Sequence, residues 1–415
     1  MEFNKKESLI AQITTRFKTI KGHNNDDAID RLSHVYTSVS LVIIAIFLTT
    51  AHFVGKPIHC WNPAHYDKDW YKGYIENYCW ISNTYHVAFH EQLPEGIEER
   101  TDREITYYQW VPLILLFQAF LFKIPNIIWR LLHSHAGVSL HNMVDLAEKT
   151  QGTSPKDRQD TIQTLADIID HWLKTERSWK DNRYTRMRDA MSQKCSLMCS
   201  KRGGNFLAGL YVIVKLLFFA NVVAQFFILN AFMASNYNMY GFEVLHKLSD
   251  NTPWDNSPRF PLVTFCDFQI RQLQNIVRYS LQCVLPINLF NEKFFIFLWF
   301  WFFIMGIASL YSLVKTLVVV VDNGSRYQFV KKYLKIDNKI QSGLDRKVCR
   351  RFADQYLRED GVFVLRVITS NSTDLVTTDL VSELWRKFNT EEEKASANQS
   401  SNGLRDDFTD IKANN

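Results

Sequence analysis

Residues Leu32–Gly55 read LSHVYTSVSLVIIAIFLTTAHFVG and contain no Asp, Glu, Lys or Arg. Three later stretches are equally free of charge: Ile105–Phe122, extended past Lys123 to Trp129, then Leu216–Phe242 and Phe294–Val314. Each is close to the roughly 20 apolar residues that a helix needs to cross a hydrocarbon core about 30 Å thick. The buried helices of a soluble protein rarely include four such runs. The sequence therefore predicts an all-α membrane protein with four transmembrane helices.

The chain divides into spans and connecting segments. We predict transmembrane helices at residues 34–54, 108–131, 206–230 and 293–321. The other segments are an N-terminal segment (1–33), a first loop (55–107), a middle loop (132–205), a second loop (231–292), a helical tail (322–388) and a terminal tail (389–415). The terminal tail is polar and rich in Asn, Ser and Asp, so we expect it to be disordered.

The distribution of Lys and Arg predicts the orientation in the membrane. Residues 1–33, 130–205 and 322–415 contain 6, 13 and 16 of them, whereas residues 55–107 and 231–292 contain 5 and 4. Positive charge stays on the cytosolic side. We therefore expect both termini and the middle loop in the cytosol, and the first and second loops outside the cell. The net charge of +5 indicates contact with anionic membrane lipids rather than nucleic acid.

The seven cysteines follow this division. Cys60 and Cys79 lie in the first loop and Cys266 and Cys283 in the second, whereas Cys195, Cys199 and Cys349 lie in cytosolic segments. Disulfides form on the oxidising side of a membrane, so the four loop cysteines predict two disulfides. Four cysteines allow three pairings, and spacing alone does not choose among them. Neither pair has the short spacing of zinc ligands, so we predict no metal site.

Other functional classes fit the sequence poorly. His86 and His90 have an HxxxH spacing, but they fall in the first loop, and the chain has no His-His pair of the kind that four-span desaturases use. No phosphate-binding loop, GxSxG or HExxH motif occurs, so we predict no enzyme and no cofactor. Tetraspanins, which have four spans and act as adhesion or scaffold proteins, carry a Cys-Cys-Gly motif that this chain lacks.

The start of the second span resembles the YYQWVP signature of the innexins, the invertebrate gap-junction proteins. The residues that carry it are Tyr107, Tyr108, Gln109, Trp110, Val111 and Pro112. The runs Cys60–Ala64 and Tyr78–Trp80 in the first loop, and Cys266–Phe268 and Leu281–Asn288 in the second, are also similar to that family. The resemblance extends from about Asp30 to about Gly361 and includes the spacing of the loop cysteines.

The resemblance implies a channel in the plasma membrane at cell junctions. Innexin-like subunits form a ring, here expected to have eight subunits, and two rings dock through their outer loops to join two cells. Position by position, the family pairs Cys60 with Cys283 and Cys79 with Cys266. We expect ions and small molecules to pass by diffusion. Undocked hemichannels, and rings that need a sister innexin, are the alternatives. Neither outer loop contains an N-glycosylation sequon, which favours docking.

Two segments are candidates for the pore lining. Residues Glu7–Lys21 place Ile10, Ile13 and Phe17 at helical spacing. The resemblance implies that this segment folds into the pore mouth, and binding to the lipid surface is the alternative. In and just after the first span, Thr49, Thr50, His52 and Lys56 are candidates for the pore wall. Hydroxyls that bond back to their own helix are the alternative.

Two further features concern the spans and the cytosolic parts. Pro125 lies inside the second span, where we expect it to kink the helix. Lys215 lies near a cytosolic end of the third span, from which it can extend to water. In the middle loop, residues 153–173 predict a helix that begins near Ser154 and Pro155 and has Ile162, Leu165, Ile168 and Ile169 on one face. With the helical tail, this helix is expected to form a cytosolic dome.

Overall fold

The fold is given by a computed structural model that describes residues 27–63, 68–177, 204–233, 237–250, 259–340 and 343–413. The helices are α1 (Ala28–Phe53), α2 (Asp69–Ile81), α3 (Ile97–Thr101), α4 (Val111–His133), α5 (Leu140–Lys149), α6 (Pro155–Arg177), α7 (Phe206–Met233), α8 (Tyr240–Ser249), α9 (Pro286–Val321), α10 (Asn323–Ile336), α11 (Gly343–Arg351), α12 (Arg358–Asn371) and α13 (Asp374–Ala413). The strands are β1 (His59–Cys60), β2 (Thr84–Tyr85), β3 (Glu104–Ile105), β4 (Val263–Gln272) and β5 (Asn275–Val284).

Among the residues that the structure describes, four helices are long and apolar enough to cross a membrane: α1, α4, α7 and α9. The predicted membrane protein of mainly helical fold with four such helices is therefore confirmed. The fourth is the longest, with 36 residues, and it begins at Pro286, where a missing backbone N–H costs least. At about 1.5 Å per residue, α9 is longer than a hydrocarbon core about 30 Å thick.

The chain forms two compact units, and the division between them falls within the long helices. The first unit consists of the described residues of Met1–Ala28, Asn126–Leu216 and Tyr311–Asn415. The second takes Ile29–Pro125 and Leu217–Leu310, and so contains both the first and the second loop. We call them the tail unit and the loop unit.

The loop unit contains an antiparallel sheet of five strands in the order β1-β5-β4-β2-β3. The first loop supplies β1, β2 and β3, and the second loop supplies the hairpin β4–β5. This sheet is an addition to the predicted all-α fold. The hairpin turns over two residues, Leu273 and Gln274, and Leu273 has φ +52°. Turns of this kind normally use Asn-Gly or Asp-Gly, so the local sequence carries no sign of the hairpin.

Aromatic side chains fill the core of the loop unit. Tyr108, Tyr237, Tyr240 and Trp299 are almost completely buried there. Trp299 lies against the backbone of Gly241, where a Cβ atom would come within 2.0 Å of the indole ring. Any larger residue at position 241 would displace this ring, so we infer that Trp299 requires glycine there.

All secondary-structure elements among the described residues of the tail unit are helices, and α6 packs against α13 within it. Helix α6 begins where the sequence predicts, with Pro155 as its first residue and the Ser154 hydroxyl accepting the amide of Asp157. Its buried face includes Ile162, Leu165 and Ile169, whereas Ile168 is 40% exposed, so the prediction for Ile168 is wrong.

Helix α13 differs from the predicted disordered tail. It continues through the segment from residue 389 and ends at Ala413. Residues 391–395 read EEEKA, and Glu, Lys and Ala are strong helix formers, so the local propensity supports the extension that the average composition does not suggest.

Candidate functional site

Two disulfides join the first loop to the second. Cys60 bonds to Cys283 across 223 residues, and Cys79 bonds to Cys266 across 187 residues. These are the pairs that the family resemblance implies. Cys60 and Cys283 lie opposite each other on β1 and β5, and Cys79 reaches Cys266 on β4 from helix α2. One disulfide therefore joins two strands of the sheet and the other joins the sheet to the helix, so the two loops form one body.

A partly buried ion pair provides a third link between the loops. Arg100 Nη1 of α3 donates to both carboxylate oxygens of Asp267 on β4, at 3.1 and 3.0 Å, and to the Ser280 hydroxyl at 3.2 Å. The Tyr85 hydroxyl donates to Asp267 Oδ1 at 3.1 Å. Burial, and then the Asp267 charge, raise the pKa of Tyr85, so this hydroxyl stays protonated as a donor.

The signature residues before α4 connect the same loops. The Tyr107 hydroxyl donates to the Arg259 carbonyl at 2.7 Å, and burial raises the pKa of Tyr107 well above its usual range. Tyr108 is fully buried, with its ring centroid 4.8 Å from that of Trp80. Gln109 donates its side-chain amide to the Trp80 carbonyl. These three residues therefore fix how the first loop enters α4.

The other two signature residues have different surroundings. Trp110 is 56% exposed, and it lines an apolar groove of about 630 Å³ together with residues of α4 and Phe232 of α7. Pro112 is the second residue of α4, where no intrahelical N–H bond is lost. Pro125 lies within α4, which runs through it without interruption. The kink there stays a prediction.

The pore candidates on α1 differ in exposure. Thr50 is exposed and Thr49 is half-buried, and their hydroxyls donate to the Ile46 and Ala45 carbonyls, one turn earlier. The ring of His52 packs edge-on against Trp80, with centroids 5.3 Å apart, and Lys56 is exposed. Ile10, Ile13 and Phe17 lie outside the described residues, as do Cys195 and Cys199.

The tail unit contains an ion pair with a buried ammonium, which the sequence pattern did not predict. The side chain of Lys215, in α7, is 1% exposed, and its ammonium lies 2.9 Å from Asp27 Oδ2 and 2.6 Å from the Ser312 hydroxyl of α9. Asp27 Oδ1 also accepts the amide of Ala28, at the start of α1. The prediction that Lys215 extends to water is therefore wrong. The available signal was Lys215 itself, the single charged residue in the apolar sequence Phe206–Met233.

A second carboxylate holds the start of α7. Asp360 of α12 is buried, and its Oδ1 accepts the amides of Leu207 at 2.9 Å and Ala208 at 3.0 Å. Burial raises the pKa of Asp360 to about 7, although the amides oppose the shift. Nearby, Arg358 has φ +55°, and its side chain lies against Gly204, which has φ +69°. The carboxylate accepts hydrogen bonds from amides that are 153 and 152 positions away in the sequence, so no local pattern predicts this cap.

Comparison with known proteins places the chain in a family. A family model described as Innexin matches residues 26–388. Innexin unc-9 of Caenorhabditis elegans is 35% identical over 380 residues, which cover 92% of this chain and 96% of that protein. Innexin-11 and Innexin-3 of the same organism are 33% and 34% identical and cover 89% of this chain each, and 80% and 85% of their own lengths. The chain therefore belongs to the innexin family, whose members are multi-pass channel proteins, not enzymes, of the plasma membrane at cell junctions.

Proposed function

We propose that this innexin forms docked intercellular channels that pass ions and small molecules between adjoining cells. The observation that carries the proposal is the hairpin β4–β5. The disulfide cysteines Cys266 and Cys283 hold its base, while Leu273 at its tip is 98% exposed and Ile276 is 57% exposed. An exposed apolar tip on a rigid base suits a surface that meets another protein.

The proposed orientation places the two loops outside the cell and both termini in the cytosol. The low content of Lys and Arg in both loops supports it. The two disulfides support it independently, since disulfides persist on the oxidising side of a membrane. With the absence of glycosylation sequons from both loops, this orientation leaves the hairpin tip bare toward a neighbouring cell.

Within the membrane, we assign the pore wall to α1 and its extension toward Lys56, with Thr50 as the first candidate among Thr49, Thr50 and His52. Thr50 is the exposed member of these three. The N-terminal segment with Ile10, Ile13 and Phe17 is proposed to narrow the pore mouth, by analogy with the family. Eight subunits per ring, and the capacity to form mixed rings with a sister innexin, belong to the same proposal.

Paired-cell dual voltage clamp tests docking directly. The wild-type chain, expressed alone in two touching cells without endogenous channels, is expected to give junctional current. Leu273→Asp puts a charge at the hairpin tip and is expected to abolish junctional current while single-cell current and surface labelling persist. Leu248→Asp is the matched control, because Leu248 is 74% exposed in the same loop but outside the hairpin.

Each outcome distinguishes one alternative from the docked channel formed by this chain alone. Single-cell current without junctional current in the wild type would indicate an undocked hemichannel. Silence in both assays, with normal surface labelling, that is relieved by a second innexin would indicate obligate mixed rings. Equal loss of junctional current in Leu273→Asp and Leu248→Asp would remove the hairpin tip as the docking surface.

A further inference from the structure

The two disulfides lie close enough together to react with each other. The Sγ atoms of Cys60, Cys79 and Cys283 all lie within 4.8 Å of one another. Cys79 and Cys283 belong to different disulfides, so the two bonds are neighbours rather than separate links. Cys266, which is bonded to Cys79, does not belong to this group of three sulfur atoms.

The backbone explains why these three sulfur atoms converge. Cys283 lies on β5 between β1 and β4, directly opposite Cys60 in the strand register. Cys266 pairs with Leu281, two residues before Cys283, so it is a diagonal neighbour of Cys283 in the sheet. Helix α2 contacts both β1 and β4, and it carries Cys79.

The four cysteines differ in their access to solvent. Cys79, Cys266 and Cys283 are 0% exposed, whereas Cys60 is half-buried. A thiol in solution can therefore reach Cys60 first, and it has no direct access to the bond between Cys79 and Cys266. Thiol–disulfide exchange requires the attacking thiolate to contact a disulfide sulfur.

We propose that the loop unit contains a thiol-exchange site, in which a small extracellular thiol that attacks Cys60 causes the release of Cys266. The proposal depends on the proposed orientation in one respect only: the loops must lie outside the cell for an extracellular thiol to reach them. Its substrate class is a low-molecular-weight thiol such as glutathione, which acts as the reductant.

The exchange balances in three steps. The incoming thiolate attacks Cys60 Sγ, forms a mixed disulfide and expels Cys283 as a thiolate. Cys283 then attacks Cys79 Sγ, the Cys79–Cys283 bond forms, and Cys266 leaves as a thiolate that takes up a proton. A second small thiol attacks the mixed disulfide, forms the oxidised small disulfide and releases Cys60 as a thiol.

The net change is a two-electron reduction in which two small thiols become one disulfide. One protein disulfide is lost, and the remaining one joins Cys79 to Cys283. Because Cys79 is in the first loop and Cys283 in the second, the loops stay linked by a single bond. The site thus converts a doubly linked loop unit into a singly linked one without reducing both bonds.

Limited reduction of the full-length protein tests the exchange. The detergent-solubilised wild type is treated with glutathione, quenched at intervals with N-ethylmaleimide and mapped by peptide mass spectrometry. We expect Cys266 labelling to exceed Cys283 labelling, and a peptide pair joined through Cys79 and Cys283 to appear. Labelling of Cys60 and Cys283 with the Cys79–Cys266 bond intact would overturn the proposal.

Single substitutions give an independent test with a matched control. Cys60→Ser leaves Cys283 as a thiol next to Cys79, so we expect a Cys79–Cys283 bond and a free Cys266. Cys79→Ser is the control: it frees Cys266, which lies outside the group of three, so the Cys60–Cys283 bond is expected to survive. An intact Cys79–Cys266 bond in Cys60→Ser would contradict the exchange, and the wild-type experiment remains decisive if either variant fails to fold.

A labelling experiment on intact cells separates this proposal from the proposed orientation. After mild reduction, a membrane-impermeant maleimide should label the loop cysteines from outside. Labelling that requires permeabilised cells would refute the orientation, whereas the pairing pattern in solubilised protein would still decide whether exchange occurs.

Discussion

At the scale of single residues, the buried ammonium of Lys215 makes Asp27 structurally important. Removing one charge of a buried ion pair typically costs about 3–5 kcal/mol, because the burial of the remaining charge is then less well compensated. Asp27 is 39% exposed, so water offsets part of that cost, and we expect a value near the lower end. Asp27→Asn should lower the apparent melting temperature of the purified protein by several degrees.

The double variant Asp27→Asn with Lys215→Met provides the control for this prediction. It removes both charges and replaces the ammonium by an apolar side chain of similar length, so it is expected to melt close to the wild type. Thermal unfolding of the three proteins in the same detergent is the measurement. If the double variant melts below Asp27→Asn, the pair does not account for the stability of this region.

Asp360 is expected to make stability depend on pH. Its pKa is raised from 3.8 to about 7 in the folded chain, so the folded chain binds this proton more tightly than the unfolded chain does. The stability from this group is complete below about pH 4, falls as the pH rises to about 7 and is constant above that. A shift of about three pKa units corresponds to about 4 kcal/mol.

Asp360→Asn tests the effect, because its amide oxygen still accepts the Leu207 and Ala208 amides. The variant is expected to melt above the wild type at pH 8, by a smaller margin at pH 5, and close to it at pH 4. Asp354→Asn, at a carboxylate that is 37% exposed, is the control and should keep the pH dependence of the wild type. Parallel melting curves of Asp360→Asn and wild type across this range would contradict the assignment.

At the scale of elements, the ion pair between Arg100 of α3 and Asp267 of β4, which we call the clamp, should make the loops more rigid than the disulfides alone do. Arg100 is 15% exposed and donates to Asp267 and Ser280, whereas Arg103 is 45% exposed and pairs with Glu91 within the first loop. Hydrogen bonds to charged groups contribute about 1.5–3 kcal/mol each, and exposed ion pairs contribute about 0–1 kcal/mol.

Arg100→Gln is therefore expected to reduce junctional conductance at unchanged surface density, while Arg103→Gln stays near the wild type. Dual voltage clamp with surface labelling measures both quantities. A similar reduction in the two variants would mean that general surface charge, and not the clamp, affects coupling.

Elements with a local signature were predictable, and those formed by distant residues were not. The spans were predictable because charges are excluded from each apolar run, and α6 because Ser154 and Pro155 mark its start. The sheet escaped prediction because Leu273 and Gln274 carry no turn signal. The cap of α7 depends on Asp360, which approaches from a different helix, and no short-range pattern contains that information.

The same distinction holds for the site. The positions of the loop cysteines were visible in the sequence, but their pairing came only through resemblance to the family. No sequence pattern indicates that the sulfur atoms of Cys60, Cys79 and Cys283 lie close together, because their proximity depends on the strand register and on the packing of α2. The clamp of Arg100 on Asp267 joins residues that are 167 positions apart.

At the scale of the whole molecule, α1 leaves one stripe without cover from its own subunit. Five residues of α1 are exposed and recur at the three- and four-residue spacing of one helix face. They are Tyr36, Ile43, Ile46, Thr50 and Phe53. Thr50 is the polar member of this stripe. A wetted pore wall needs polar groups, so we expect this face to be directed to the pore near Thr50.

Cysteine accessibility in the assembled channel tests this prediction. Thr50→Cys is expected to lose most of its current when a bulky, water-soluble methanethiosulfonate is applied, because the added group occupies the permeation path. Thr49→Cys, which is half-buried, should respond more slowly, and Ile44→Cys, which is buried, should not respond. The native Cys349 is buried, which limits background reaction at that position. If Thr50→Cys keeps its full current although mass spectrometry shows that the cysteine is modified, this face of α1 does not line the pore and another helix must do so.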